Sequence, residues 1–367
     1  MTVYAAEHDE LRSAVRRLLE KSADSAAIRA TIAAGGYDTA LWRRISDELG
    51  LPGLAIAEER GGAGYGIVEL AVVLEEIGRA TLPSPFLSTV LAAWAVESAG
   101  PSAVAGDLLP PLAAGRQVAA VAVGAARPGW TFENGRVGGV LPHVPDGATA
   151  DHLVLVAPGG GAVVDLHGPG VARSELETMD LTRGQARIAL TDAPARPLPA
   201  PDGWAERMSA LAAVMVACEQ VGGAERVLEM STAYAGERIQ FGRPIGSFQA
   251  VKHLLADMLV ELELARTVQQ HAVGLIGTPG TGPAALDAAA RSARVACSRA
   301  FLRLTSDAIR VHGGIGYTWE HDAHLYFRRA RASAVLFGGG ADDLDRLAVA
   351  AGLAPAGLAP TEVEEVP

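Results

Sequence analysis

Two long helical patterns meet at Glu237-Arg238-Ile239-Gln240-Phe241-Gly242-Arg243-Pro244-Ile245-Gly246-Ser247-Phe248-Gln249. The first pattern starts near Trp204. The second, over 249–266, carries Val251, Leu254, Leu255, Met258, Leu259 and Leu262 on one stripe, and Val260 and Leu264 begin another. A helix apolar on two sides is sandwiched, as in a bundle whose outer face meets another subunit. The join puts an arginine, two glutamines and a phenylalanine around a glycine-proline turn. Such a turn can hold a dianionic pyrophosphate beside an aromatic heterocycle. Arg310-Val311-His312-Gly313-Gly314-Ile315-Gly316-Tyr317 then sets a second arginine just before a glycine-rich break. The two glycines cap a helix end and let backbone N–H groups approach an anion without a Cβ in the way.

The remaining chain divides by pattern. Residues 4–22 and 37–49 read as amphipathic helices, the latter with Leu41, Ile45 and Leu49 at four-residue spacing. Helices over Val68 to Arg79 and Phe86 to Glu97 complete a helical domain, 1–115. Short β-branched runs at Gln117–Val123, His152–Ala157, Ala162–Leu166 and Arg187–Thr191 read as a small antiparallel β domain, 116–200. A helical bundle follows over 201–354, with its last two short helices near 321–335 and 341–352. Pro355 to Pro367, rich in Pro and Glu, reads as a disordered tail, 355–367. Two or three domains suit 367 residues.

A net charge of −11 argues against nucleic acid or an anionic membrane as partner. No apolar run reaches the roughly 20 residues a membrane span needs. Glu7, His8, Asp9 and Glu10 stand where a signal peptide needs a basic and then an apolar run. Cys218 and Cys297 lie in apolar helical patterns and read as buried free thiols, which fits a cytoplasmic location. Lys21 and Lys252 are the only lysines. That bias, with the Ala and Gly content, suggests a GC-rich bacterial coding sequence. The scattered histidines have no metal-ligand spacing, so no metal is expected.

In this order and on helices, the two glycine-bearing segments resemble the acyl-CoA dehydrogenase family of FAD flavoproteins. Leu54-Ala55-Ile56-Ala57-Glu58-Glu59-Arg60-Gly61-Gly62-Ala63-Gly64, followed by Leu74-Glu75-Glu76-Ile77-Gly78-Arg79, is similar to a third family segment. The resemblance implies a fold that is mainly α with a central β domain: an N-terminal helical domain, a middle antiparallel β domain and a C-terminal four-helix-type domain. It also implies an oligomer, FAD as cofactor, an acyl-CoA substrate and an electron-transfer acceptor. Arg238, Gln240, Phe241 and Gln249 then match residues that contact the FAD phosphates and adenine across a subunit interface. Arg310, Gly313 and Gly314 match the pyrophosphate side, although the family often has glutamine where Arg310 stands. His312 reads as a structural hydrogen-bonder. Thr318-Trp319-Glu320-His321-Asp322 reads as the cap and anchor of the next helix.

One family element is missing. Removing an α-proton from an acyl thioester requires a carboxylate over the Cα–Cβ bond, and many members carry it as a glutamate soon after a helix ending Arg-Asp-Ala. Here the helix ends Arg328-Arg329-Ala330, and the glutamate position falls on Phe337, Gly338 or Gly339. The other place where members put a base falls on Ala212 and Ala213. The β-domain segments Val123 to Trp130 and Leu141 to Gly147 also depart from the family's flavin-ring loops; His143 there could bond the flavin or close a turn. No catalytic residue is assigned. The resemblance implies the base-less subunit of a heterotetramer whose related partner supplies the glutamate for 2-enoyl-CoA formation, such systems including ones acting on steroid side-chain thioesters. The alternatives are a homomeric dehydrogenase using Glu219, Asp342 or Asp343, a flavoprotein of other chemistry such as nitroalkane oxidation or hydroxylation, and a flavin-free structural subunit.

Overall fold

The computed structural model describes residues 4–123, 129–339 and 341–353. The 355–367 segment and Gly124–Pro128 lie outside the described residues, as does the side chain of Asp342.

Six helices build the N-terminal domain: α1 (Ala6–Ser22), α2 (Ser25–Ala34), α3 (Thr39–Asp47), α4 (Ile67–Ala80), α5 (Phe86–Ser98) and α6 (Ala103–Ala113). Helix α4 is buried on nearly every side. Its charged pair Glu75 and Glu76 lies under α1, where Arg12 reaches Glu75 at 2.7 Å and Arg16 reaches Glu76 at 2.7 Å. Helices α2 and α6 are additions to the sequence reading. Asp24 caps α2 by accepting the Ala27 N–H at 2.8 Å, and Ser102 caps α6 by accepting that of Ala105 at 3.2 Å. Pro110 and Pro111 sit within α6 close to its end.

The middle domain has seven strands: β1 (Ala119–Val123), β2 (Trp130–Glu133), β3 (Arg136–Pro145), β4 (His152–Ala157), β5 (Gly160–Asp165), β6 (Val171–Leu176) and β7 (Gln185–Leu198). Their order is β1-β4-β5-β7-β3-β2, with β6 beside β7. The 14-residue β7 is the spine, pairing β5 with its last residues and β3 and β6 with the rest. One correction to the antiparallel expectation follows: β1 runs parallel to β4, because the β2–β3 hairpin intervenes between them in the chain.

The C-terminal domain comprises α7 (Trp204–Glu237), α8 (Gln249–Gly277), α9 (Pro283–His312), α10 (Ala323–Ser333) and α11 (Ala341–Ala350). Helix α7 crosses α4 backbone to backbone. A Cβ on Gly222 would lie 1.8 Å from the Glu75 carbonyl oxygen, and one on Gly78 would lie 2.0 Å from that of Glu219. Only glycine permits this approach, which fuses the two helical domains. On α8, Met258, Leu262 and Ala265 face inward while Leu259, Val260 and Leu264 are exposed. Leu259 thus belongs to the outer stripe. Both cysteines are free and buried. Among the described residues no helix is long and apolar enough to cross a membrane.

Candidate cofactor and substrate site

A cleft of 740 Å³ opens between the β domain and the end of α10. That volume lies in the roughly 300–1,000 Å³ range of small-molecule sites. Two local features shape the β side. At Gly139, with φ 141°, a Cβ would fall 2.4 Å from the Gly129 carbonyl oxygen, so only glycine lets β2 close on β3 there. The β3–β7 ladder then slips between Leu141 and Val144, turning Pro142 and His143 out of register and onto the cleft wall. Trp130 and the β6–β7 turn at Thr178 and Met179 add two more walls.

The opposite wall is Ala332 and Val335–Gly338. Phe337 at φ 56° and Gly338 at φ 79° turn this segment back. Phe337 and Gly338, two of the three positions to which the resemblance assigns the glutamate, are thus on the cleft wall, and neither carries a carboxylate. Ala212 and Ala213, the alternative position, are buried in α7.

Neither acid whose side chain is described among the relocation candidates is free. Glu219 is buried against Arg183 at 2.5 Å and Arg329 at 3.6 Å. Asp343 is buried against Arg291 at 2.6 Å and Arg294 at 3.5 Å. Among the described residues, the carboxylate on the cleft wall is that of Glu177, an exposed residue of the β6–β7 turn. Sequence reasoning missed it, since nothing in its surroundings distinguishes it from an ordinary solvated turn acid. Also missed was the buried cluster beneath the cleft: Arg329 pairs with Asp180 at 2.7 Å and donates to Thr182, while Asp146 accepts from Ser88 at 2.5 Å. Burial pushes the Asp146 carboxyl up to about 6, against the pull of Arg183 and the Ser88 hydrogen bond.

The seven predicted cofactor residues lie elsewhere, at one end of the bundle. Arg238 ends α7, its N–H donating to the Tyr234 carbonyl at 2.8 Å. Ile239–Gln240 and Arg243–Pro244 form a two-strand hairpin, β8 and β9. Its tip has positive φ at both Phe241 (51°) and Gly242 (76°), the requirement of a mirror-image hairpin turn. Phe241 is 92% exposed there. The Arg243 guanidinium lies 4.2 Å from the centre of the Phe248 ring. Arg238 and Gln240 are exposed, and neither side chain has a partner among the described residues. Gln249 starts α8 and lies 3.4 Å from His253.

On α9, Arg310 projects outward and pairs with Asp307 at 3.2 Å. A short 3-10 turn, Gly313–Tyr317, follows the helix. A Cβ on Gly313 or Gly314 would meet nothing within 4 Å, so this backbone is open to approach. The two groups of residues are linked through Tyr234, whose ring lies 4.6 Å from that of His312. None of the seven lines the cleft. His312 is structural as expected, with Nδ1 donating to the Ala308 carbonyl at 2.7 Å. Asp322 anchors α10 to α2 by accepting from Arg29 at 2.6 Å and Ser25 at 2.7 Å.

A flavin dinucleotide fits this donor set. Uncommitted Arg238 and Gln240, an open glycine backbone and an exposed aromatic ring suit a pyrophosphate and a heterocycle, and the largely apolar cleft suits a ring system.

Comparison with known proteins agrees with this architecture. The acyl-CoA dehydrogenase N-terminal domain matches residues 5–116 and the C-terminal domain residues 202–354. The chain is 37% identical over 345 residues to acyl-CoA dehydrogenase IpdE2 of Mycolicibacterium smegmatis, covering 93% of this chain and 97% of that protein. The IpdE2 of Mycobacterium tuberculosis is 38% identical over 343 residues, covering 93% and 96%. Among solved structures, the Tcur3481-Tcur3483 steroid ACAD superposes with a TM-score of 0.86 at 32% identity, covering 94% of this chain and 98% of that one. The ChsE4-ChsE5 complex from Mycobacterium tuberculosis superposes with a TM-score of 0.88 at 26% identity, covering 96% and 99%. With its sequence, its three-domain order and its helical ends all in agreement, the chain belongs to the acyl-CoA dehydrogenase family.

Proposed function

We propose that this chain is a subunit of a FAD-dependent acyl-CoA dehydrogenase that forms a 2-enoyl-CoA, and that a related partner subunit supplies the base. The observation that carries this reading is Phe337 on the cleft wall, with Glu219 and Asp343 both committed to buried arginine pairs. Carboxylates already engaged by buried guanidinium groups, and absent from the cleft wall, are not placed to take an α-proton. The role left to this chain is binding and orientation. Bound FAD would accept the hydride leaving the β-carbon. Arg238, Gln240 and Gly313–Gly314, which lie away from this chain's cleft, would hold the phosphates of a flavin seated in an adjoining subunit. Trp130, His143 and the Val335–Gly338 wall would shape the cleft and exclude water from it.

Two further observations support assembly. The α8 stripe Leu259, Val260 and Leu264 and the hairpin residues Ile239 and Phe241 are all at least half exposed, and exposed clusters of large apolar groups mark interaction surfaces. The structural relatives include a complex of two differently named chains, ChsE4 and ChsE5. Similarity to a steroid ACAD favours a bulky, polycyclic acyl group among the possible substrates.

The test is acyl-CoA dehydrogenation by the purified chain alone and after co-expression with a related dehydrogenase subunit. Activity that appears only with the partner supports the reading. Fast turnover by the chain alone, abolished by Glu177→Gln, would make Glu177 the base and overturn it.

A further inference from the structure

The segment Thr318–Asp322 contributes more than an anchor. The His321 ring lies 4.2 Å from that of His312, which in turn lies 4.6 Å from Tyr234. Three rings from three elements thus form one stack. Tyr234 is one turn before Arg238 on α7, His312 immediately precedes Gly313 on α9, and His321 precedes α10. The middle ring is buried, with Tyr234 on one side and His321 on the other.

Backbone partners fix the tautomers of both histidines, and that of His321 also requires its ring to be neutral. His312 Nδ1 donates to Ala308, so its hydrogen is on that nitrogen. His321 Nδ1 accepts the Ala323 N–H at 3.1 Å, so its hydrogen is on Nε2. A proton added to His321 must go on Nδ1, where it would face another N–H. A proton added to His312 puts a charge against a second titratable ring at 4.2 Å. The groups facing the stack are Tyr234 from α7, Arg310 and Asp307 from α9, Asp322 and His324 beside α10, and Arg29 from α2, which is paired with Asp322. Resting on the reading of Arg238 and Gly313–Gly314 as a phosphate site, we infer that the His312–His321 stack is a proton-sensitive positioning element: protonation separates the rings and weakens binding of the flavin dinucleotide.

Burial holds both rings below the ordinary histidine value of 6.5, His321 further through its histidine neighbour. The neutral stack therefore persists at and somewhat below that value, and is lost as pH falls further through the depressed range. The experiment measures FAD dissociation by flavin fluorescence on the full-length chain assembled with its co-expressed partner subunit, at pH 7.5 and 5.5. The wild type should bind roughly tenfold more weakly at the lower pH, a difference of about 1.4 kcal/mol. His312→Phe and His321→Phe keep a ring in the stack and should hold the two affinities within about threefold of each other. The same acid loss in both variants as in the wild type would overturn the inference. If Arg238→Ala leaves the affinity at pH 7.5 unchanged, or if no flavin binds at either pH, the phosphate-site reading falls and takes this inference with it. If Arg238→Ala weakens binding while the phenylalanine variants keep the acid loss, only the inference about the stack falls.

Discussion

Arg329 of α10 meets Asp180 of the β6–β7 turn at 2.7 Å, with both side chains almost wholly withdrawn from solvent. The same guanidinium donates to the Thr182 hydroxyl and carbonyl, and its far side approaches Glu219 of α7. The pair therefore ties together the β domain and two helices of the bundle directly below the cleft. In the segment that resembles the family pattern Arg-Asp-Ala this chain reads Arg328-Arg329-Ala330, and its middle residue is the arginine of this pair.

Removing one member should unfold the junction rather than alter chemistry. Arg329→Ala leaves Asp180 buried without its cation, and breaking a buried pair costs about 3–5 kcal/mol. Denaturant unfolding should show a lower midpoint of that scale. A loss below about 1 kcal/mol would mean that the site behaves as a solvated surface pair.

Asp146 gives a pH-dependent signal with a defined sign. Its carboxyl is raised to about 6 in the folded chain from an ordinary 3.8. Between those values the folded state holds a proton that the unfolded state has released, so this group's contribution to stability falls as pH rises from about 4 to about 6 and then levels. The loss is on the order of 3 kcal/mol. Asp146→Asn keeps an oxygen to accept from Ser88 and removes the titration. Stability curves of wild type and variant should meet near pH 4, with the variant the more stable by pH 8. Parallel curves across that range would contradict the assignment.

These groups also show where the sequence was readable and where it was not. Helices α4, α7, α8 and α9 announce themselves by long apolar periodicity, and the Arg238–Gln249 join by its punctuation. Helix α6 is not read from the sequence and contains Pro110 and Pro111; they lie near its end, where the chain leaves the helix anyway. Helix α2 was hidden by its short, alanine-rich pattern. The pairing of Glu219 with Arg183, 36 residues apart, and of Arg329 with Asp180 is set by how the domains dock, and no local pattern encodes that. The same limit applies to Leu259, whose side of α8 depends on where the neighbouring helices stand.

Arg238 should be a determinant of flavin retention. It is exposed and has no partner among the described residues, so its replacement leaves no buried acid behind. Arg238→Ala should weaken FAD binding by roughly 1.5–3 kcal/mol, the scale of a hydrogen bond to a charged group, without shifting the unfolding midpoint of the flavin-free protein. Unchanged flavin content in the assembled protein would refute its role.

The outer face of α8 should be covered in solution. Leu264 is 62% exposed, Val260 58% and Leu259 50% on a single chain. Sedimentation at micromolar concentration should show a species larger than 37.8 kDa. Leu264→Glu would place a charge in that face and should shift the protein toward smaller species while leaving its helical content intact. A compact, flavin-loaded monomer in the wild type would contradict the assembly.

The final prediction concerns rate. A positioned general base contributes about 10²–10⁴-fold, so a cleft walled by Phe337 should turn over acyl-CoA that much more slowly alone than with a partner bearing a glutamate. The residual rate of the single chain should survive Glu219→Gln, if that variant folds, because Glu219 is engaged with Arg183 and Arg329 and has no place on the cleft wall. It should also survive Glu177→Gln, because an exposed turn carboxylate is neither desolvated nor fixed over a substrate bond. Steady-state dehydrogenation with an artificial electron acceptor, run on each variant with and without the partner, separates the cases. A rate with the partner that no longer depends on the partner's own glutamate would return the base to this chain.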